Sequence, residues 1–197
     1  MLQMSLVDKL IGLIPEVTRP KEKRLGFGTK MKWTGIALFL YFLLGQIELF
    51  GVAPGALEQF ENLAVILGAK FGTIISLGIG PIVTASIVLQ LLNGSGIFKF
   101  DTSTEEGRQR FQGIQKLTAF GFIIFQAVVY VMFGGLGPAP EFAGTAVYGT
   151  LQLIIIFQLF VGGFIIMIMD DLLQKWGIGS GISLFIAAGV SRQVFVQ

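Results

Sequence analysis

From Phe71 to Phe98 the chain carries no Asp, Glu, Lys or Arg, yet its backbone is broken inside that run. Residues 78–92 read Gly-Ile-Gly-Pro-Ile-Val-Thr-Ala-Ser-Ile-Val-Leu-Gln-Leu-Leu. An apolar helix spans a bilayer in about 20 residues. A glycine–proline break exposed to lipid would leave peptide groups without partners, so it must face protein or water. Residues 177–186, Gly-Ile-Gly-Ser-Gly-Ile-Ser-Leu-Phe-Ile, repeat the arrangement, with glycines first and isoleucines four apart. These two segments restrict the chain to helices that line or close a cavity within a membrane.

Composition agrees. The chain is 53% hydrophobic and 13% charged, with a mean hydropathy of +0.78. A soluble domain carries about 25% charge. With no Cys and no His, disulfides, Cys/His metal sites and Ser–His or Cys–His catalytic pairs are excluded. Gly177-x-Gly179-Ser180-Gly181 lacks the Lys-Ser/Thr of a phosphate loop and a histidine to activate its serine. These residues thus offer no evident catalytic constellation and no cofactor motif.

The fold class is an all-α membrane protein with five transmembrane segments, at 33–50, 73–93, 114–134, 145–169 and 178–197. Residues 1–32 come first. Leu2, Leu6, Leu10, Leu13 and Ile14 share one helical face and Pro15 ends the pattern. Asp8 and Lys9 interrupt the apolar run, which argues for an amphipathic helix rather than a cleaved signal peptide. That helix either lies in the interface or docks on the rest of the protein. A basic linker follows, with Arg19, Lys21, Lys23, Arg24, Lys30 and Lys32. Residues 54–68 hold Glu58 and Glu61 around a patch, Phe60 and Leu63 to Leu67, that is too short to span. A short re-entrant helix fits.

Lys and Arg set the orientation. With the N-terminus inside, the linker 19–32, the loop 99–116 and the turn at Lys175 are cytoplasmic, and with Lys9 they hold every Lys and Arg except Lys70 and Arg192. Asn93-Gly94-Ser95 matches a glycosylation sequon but then lies inside. Five spans are an odd number, as expected of one half of an inverted repeat that makes a ten-helix fold.

Ile79 and Val83 are i,i+4 neighbours on one helix face, as are Ile182 and Ile186. They are packing residues or, being next to cavity-lining backbone, an aliphatic constriction that closes by dewetting. Intramembrane amides hydrogen-bond across helices for about 0.6–2 kcal/mol, which suits either static packing or a latch. Arg192 lies about 9 Å along a helix from Ile186. Either it points into a water-filled outer funnel, or the helix has already ended.

Gly78–Leu92, Gln112-Gly-Ile-Gln-Lys116, Lys32-Trp-Thr-Gly35 and the run from Lys175-Trp-Gly-Ile-Gly-Ser-Gly-Ile to Gly189 resemble the SecY/Sec61α family of protein-conducting channels, in its archaeal and eukaryotic form. The resemblance covers essentially the whole chain and the N-terminal half of that family's ten spans. It implies that Ile79, Val83, Ile182 and Ile186 are four of six pore-ring residues. It implies a plug around 56–68, with Phe60, Leu63, Ala64, Val65, Ile66 and Leu67. It places Thr84, Gln90 and Gln126 at a lateral gate. The implied function is passage of unfolded secretory polypeptides across the membrane and lateral release of transmembrane segments. Implied partners are the C-terminal half of the channel, a SecE/Sec61γ subunit, a small β subunit, the ribosome with its nascent polypeptide and signal sequence, and membrane lipids. The implied location is a prokaryotic, archaeal-type plasma membrane, or the ER membrane in a eukaryote. The competing reading is a secondary transporter with broken helices. It expects ionisable groups at mid-membrane, and the second, third and fourth spans offer none. An intramembrane protease is disfavoured by the missing histidine.

Overall fold

In the computed structural model, the described residues are 9, 11–12, 14–18, 20, 25–53, 72–97, 104–133 and 136–196. They form five α-helices: α1 (Phe27–Leu44), α2 (Gly80–Gly94), α3 (Glu105–Met132), α4 (Ala146–Trp176) and α5 (Gly181–Val196). A 3-10 turn, Pro140–Phe142, leads into α4. The expected plug residues Phe60, Leu63, Ala64, Val65, Ile66 and Leu67 lie outside the described residues, as do Leu2, Leu6, Leu10 and Leu13 of the amphipathic helix.

The helices occur in the expected order with different ends. α1 starts at Phe27, inside the stretch read as basic linker, and stops at Leu44, where Gly45 follows. The third span was expected from residue 114, but α3 starts at Glu105. Thr104 caps it, its hydroxyl accepting from the Gly107 N–H at 3.1 Å. α4 runs beyond the expected limit at Met169 to Trp176, through Asp170 and Asp171. Hydropathy marks where a helix meets polar surroundings, whereas capping and glycine mark where it stops. α3 and α4 therefore carry polar turns past their apolar stretches. Two segments, Gly107–Met132 and Ala146–Trp176, are long and apolar enough to cross a membrane by themselves.

α2 has 15 residues, about 22 Å at the helical rise, and falls short of a bilayer alone. The eight residues before it, 72–79, are turns rather than helix. They are almost wholly buried, with Gly72 and Gly78 at φ 83° and 54°. Their peptide groups find protein partners: Leu49 N–H donates to Gly72 O (2.8 Å), Ile74 N–H to Ile47 O (3.0 Å) and Gly78 N–H to Ile75 O (2.7 Å). The break expected from glycine and proline is therefore turned into protein, as the lack of water in a bilayer demands. Pro81 then sits in the first turn of α2, where its missing N–H costs nothing.

α4 is the hub. It packs on α1, α3 and α5, and α2 packs along α3. Ile155, Leu159, Ile166 and Leu173 form a completely buried face of α4, and Ala119, Ile123, Ala127 and Val131 form the buried face of α3. Gly162 and Gly163 bring α4 against its neighbours. A Cβ at Gly162 would fall on the Ile74 carbonyl, and one at Gly163 would lie 2.8 Å from the Ile123 side chain. Phe120 meets Phe160 edge-on at 5.4 Å on the same interface.

Candidate functional site

The two isoleucine-led turns occupy equivalent positions at the starts of their helices. Ile79 is the N-cap residue of α2, and its carbonyl accepts from Ile82 N–H (3.1 Å) and Val83 N–H (3.0 Å). Ile79 is buried, and Val83 packs against the core from a half-buried position. On α5, Gly181, Phe185 and Gly189 are buried, and Phe185 stacks on Tyr41 with ring centroids 4.8 Å apart. That face docks the helix. Ile182 and Ile186 lie one step round it, Ile182 half-buried and Ile186 40% exposed. α2 packs along α3, whereas α5 packs on α4 and α1. The four side chains thus sit on two helices with different supports.

The expected gate positions gather loosely on α2 and α3. Thr84 donates to Gly80 O at 2.8 Å within its own helix, so its hydroxyl is satisfied locally. A Cβ built at Gly80 would lie 3.7 Å from Gln126 Oε1, which places that amide beside the opening turn of α2. Gln90 is exposed. A polar link between these two helices is one sequence reasoning missed: Gln115 Nε2 donates to the buried Ser86 Oγ, which itself donates to Ile82 O (2.9 Å). Gln115 was visible within the quoted Gln112–Lys116 motif, but nothing local to Ser86 distinguished it from the other small residues of α2.

The densest polar cluster was also missed as a site. Lys116 on α3 pairs with Asp171 on α4 and with Glu16, both at 2.8 Å. Lys175 pairs with Asp171 at 3.0 Å, one helical turn away, and with Glu16 at 3.6 Å. Val17 N–H donates to Asp171 Oδ2 (2.9 Å), Lys175 Nζ donates to Val17 O (2.7 Å), and Trp176 Nε1 donates to Thr18 O (2.8 Å). Residues 16–18 are therefore a strap fastened to the last turns of α4 and, through Lys116, to the interior of α3. Nearby, Ile11 packs so closely on Gly113 that a Cβ there would meet it at 2.9 Å.

The Lys116 hydrogen bond holds the Glu16 carboxyl below its ordinary value, against partial burial, which pushes it up. A carboxyl lowered by folding stabilises the strap above its unfolded value of about 4.3 and loses that contribution as pH falls through the lowered value. The Trp33 and Trp176 rings are 5.7 Å apart beside the strap. The contribution of Glu16 to their fluorescence should be constant from pH 7 to about pH 4.3 and change progressively below it. The Glu16→Gln protein should lose the part of that transition due to Glu16.

A helical bundle in which one apolar helix rises from buried, glycine-broken backbone, and another from a glycine-rich turn, has the architecture of a membrane transport protein. Residues 73–197 match the SecY family model, and residues 39–72 match the plug domain of Sec61p. The protein translocase subunit SecY of Methanothermobacter thermautotrophicus is 46% identical over 190 residues, covering 96% of this chain and 40% of the relative. A solved protein-conducting channel superposes with a TM-score of 0.79 at 42% identity, over 95% of this chain and 41% of that one. Sec61 from a canine ribosome–channel complex of the endoplasmic reticulum gives the same values. The chain belongs to the SecY family, and it spans about 40% of the length of the curated relatives it matches. The stretch matched as plug domain includes Phe60 and Leu63 to Leu67.

Proposed function

We propose that this chain forms the N-terminal part of the pore subunit of a protein-translocation channel. It passes unfolded secretory polypeptides across a membrane and releases transmembrane segments sideways. Ile79, Val83, Ile182 and Ile186 line one constriction, residues 56–68 plug it, and Thr84, Gln90 and Gln126 lie on one side of a lateral gate. The observation that carries this reading is the pairing of family membership with placement: both aliphatic pairs begin helices, directly after buried or glycine-rich non-helical backbone. Aliphatic side chains close such an opening by excluding water and fit loosely round varied chains, because apolar contacts are not directional.

The channel is no enzyme in this reading, and a translating ribosome or another partner drives movement. A complex of a related Sec61 with the ribosome supports that partner. The SecE/Sec61γ and small β subunits, the C-terminal half of the channel and the surrounding lipids complete the assembly. The N-terminus is cytoplasmic, in a plasma membrane of archaeal type or in the ER membrane. Five spans are reached when α1, α2 and α5 cross together with α3 and α4.

Photocrosslinking tests the reading in the assembled channel. Probes at positions 79, 83, 182 and 186 should each capture an arrested nascent chain, while a probe at the exposed Phe157 of α4 should capture none. Translocation that proceeds with no crosslink from any of the four positions overturns the ring.

A further inference from the structure

We propose that Asp170 is a positioning residue for the constriction, holding the start of α5 and so fixing Ile182 and Ile186 in the resting channel. The inference rests on the ring reading above. Asp170 and Asp171 are adjacent on α4 and both buried, at 5% and 6% exposure. A helix turns about 100° per residue, so the two carboxylates face different neighbours. Asp171 takes Lys116 and Lys175, the two lysines that hold the strap. Asp170 has no Lys or Arg in ion-pair range among the described residues. Its hydrogen-bond partners are the Ile182 N–H on Oδ1 (3.1 Å) and Gln174 Nε2 on Oδ2 (2.8 Å).

A buried carboxylate without a cation is costly unless it is well hydrogen-bonded. Here the Ile182 N–H and the positive end of the α5 dipole take the cation's place. Charge-assisted bonds of this kind are stronger than those of a neutral cap. The amide held belongs to Ile182 itself. The approach is as close as a backbone allows: a Cβ at Gly181 would lie 2.7 Å from Asp170 Oδ1 and 2.8 Å from Asp170 Cα. Phe185 on Tyr41 secures the next turn. One side of the constriction thus takes its position from a carboxylate on α4, directly after the buried Met169.

The test is ion leak through the resting, assembled channel in liposomes, read as chloride flux with a trapped chloride-sensitive dye. Asp170→Ala should raise the leak roughly tenfold, the change in population that loss of one charged cap allows. Asp170→Asn retains an accepting oxygen and should stay within about twofold of the parent. Glu16→Gln, on the strap and away from α5, should leave the leak unchanged. Wild-type tightness in an assembled Asp170→Ala channel overturns the inference. If Ile182→Gly leaks while Asp170→Ala does not, the ring stands and only the positioning role falls. If neither leaks, the ring reading falls and the inference with it. Should Asp170→Ala fail to assemble, Gly181→Ala decides, because it keeps the carboxylate and pushes the helix off it. A leak above the parent supports the role, and a tight channel overturns it.

Discussion

Gly162→Val should remove the folded protein from detergent extracts, or lower its unfolding midpoint sharply. The reason is the backbone of residues 72–79. α4 lies so close to that segment that even a methyl group at position 162 would occupy the Ile74 carbonyl. The obstacle is backbone, which cannot rotate away as a flexible side chain can. The carbonyl also belongs to a turn in which Gly72 O accepts from the Leu49 N–H and the Ile74 N–H donates to Ile47 O. Pushing it aside therefore strains the α1–α2 connection and exposes peptide groups that have no water to replace their partners. Overpacking of a rigid core costs about 1–3 kcal/mol and more where the backbone must move. Gly162→Ala should show the same defect in weaker form. Gly149→Ala is the control, since that position of α4 has open space around it and alanine favours the helix. Thermal unfolding of the purified assembly, followed by size-exclusion chromatography, reads all three. A Gly162→Val protein as stable as the Gly149→Ala protein would contradict the packing described.

The second large effect is expected at Asp171. Its side chain is 7% exposed and faces two lysine ammonium groups that are themselves mostly buried. Asp171→Ala removes the acceptor shared by Lys116, Lys175 and the Val17 N–H in one step. Glu16 remains, but it is half exposed and on the strap that the substitution loosens. Breaking a buried ion pair from one side costs about 3–5 kcal/mol, because the partner charge stays in a poor solvent. Here part of that loss is relieved as the strap lifts and water reaches the lysines. The expected outcome is a protein destabilised by about 2–3 kcal/mol whose N-terminal segment becomes protease-sensitive. Replacing Lys116 by methionine leaves Lys175 in place and should cost clearly less. Combining Asp171→Leu with Lys116→Met and Lys175→Met should recover stability while leaving the strap undone. Equal protease resistance in the parent and the Asp171→Ala protein would show that the strap is held by something else.

The transmembrane framework was legible because a bilayer imposes one strong requirement on sequence, long apolar runs with satisfied backbone. Five spans were expected beside an N-terminal and a plug helix; α1 to α5 follow the order of the spans, and α3 and α4 hold the two segments long and apolar enough to cross a membrane alone. Their ends were less legible. Thr104 starts α3 in a stretch that composition alone reads as loop. Lys175, one turn beyond Asp171, carries α4 past its apolar part. The four aliphatic positions were singled out by spacing and by the glycines before them. Ser86 with Gln115, and the strap at Glu16, were not, because each depends on residues far apart in the chain.

By itself the sequence determined that this chain is helical, that it is made for a membrane, and that the glycine–proline break before α2 turns its backbone into protein. Those conclusions follow from residue type and period, which act locally. Only the tertiary structure decided what Asp170 and Asp171 do. The two are identical in chemistry and adjacent in sequence. The turn of the helix sends one to two lysines and a strap that begins more than a hundred and fifty residues earlier, and the other to the start of the next helix. A buried charge takes its role from the partner that satisfies it, and that partner is chosen by packing in space.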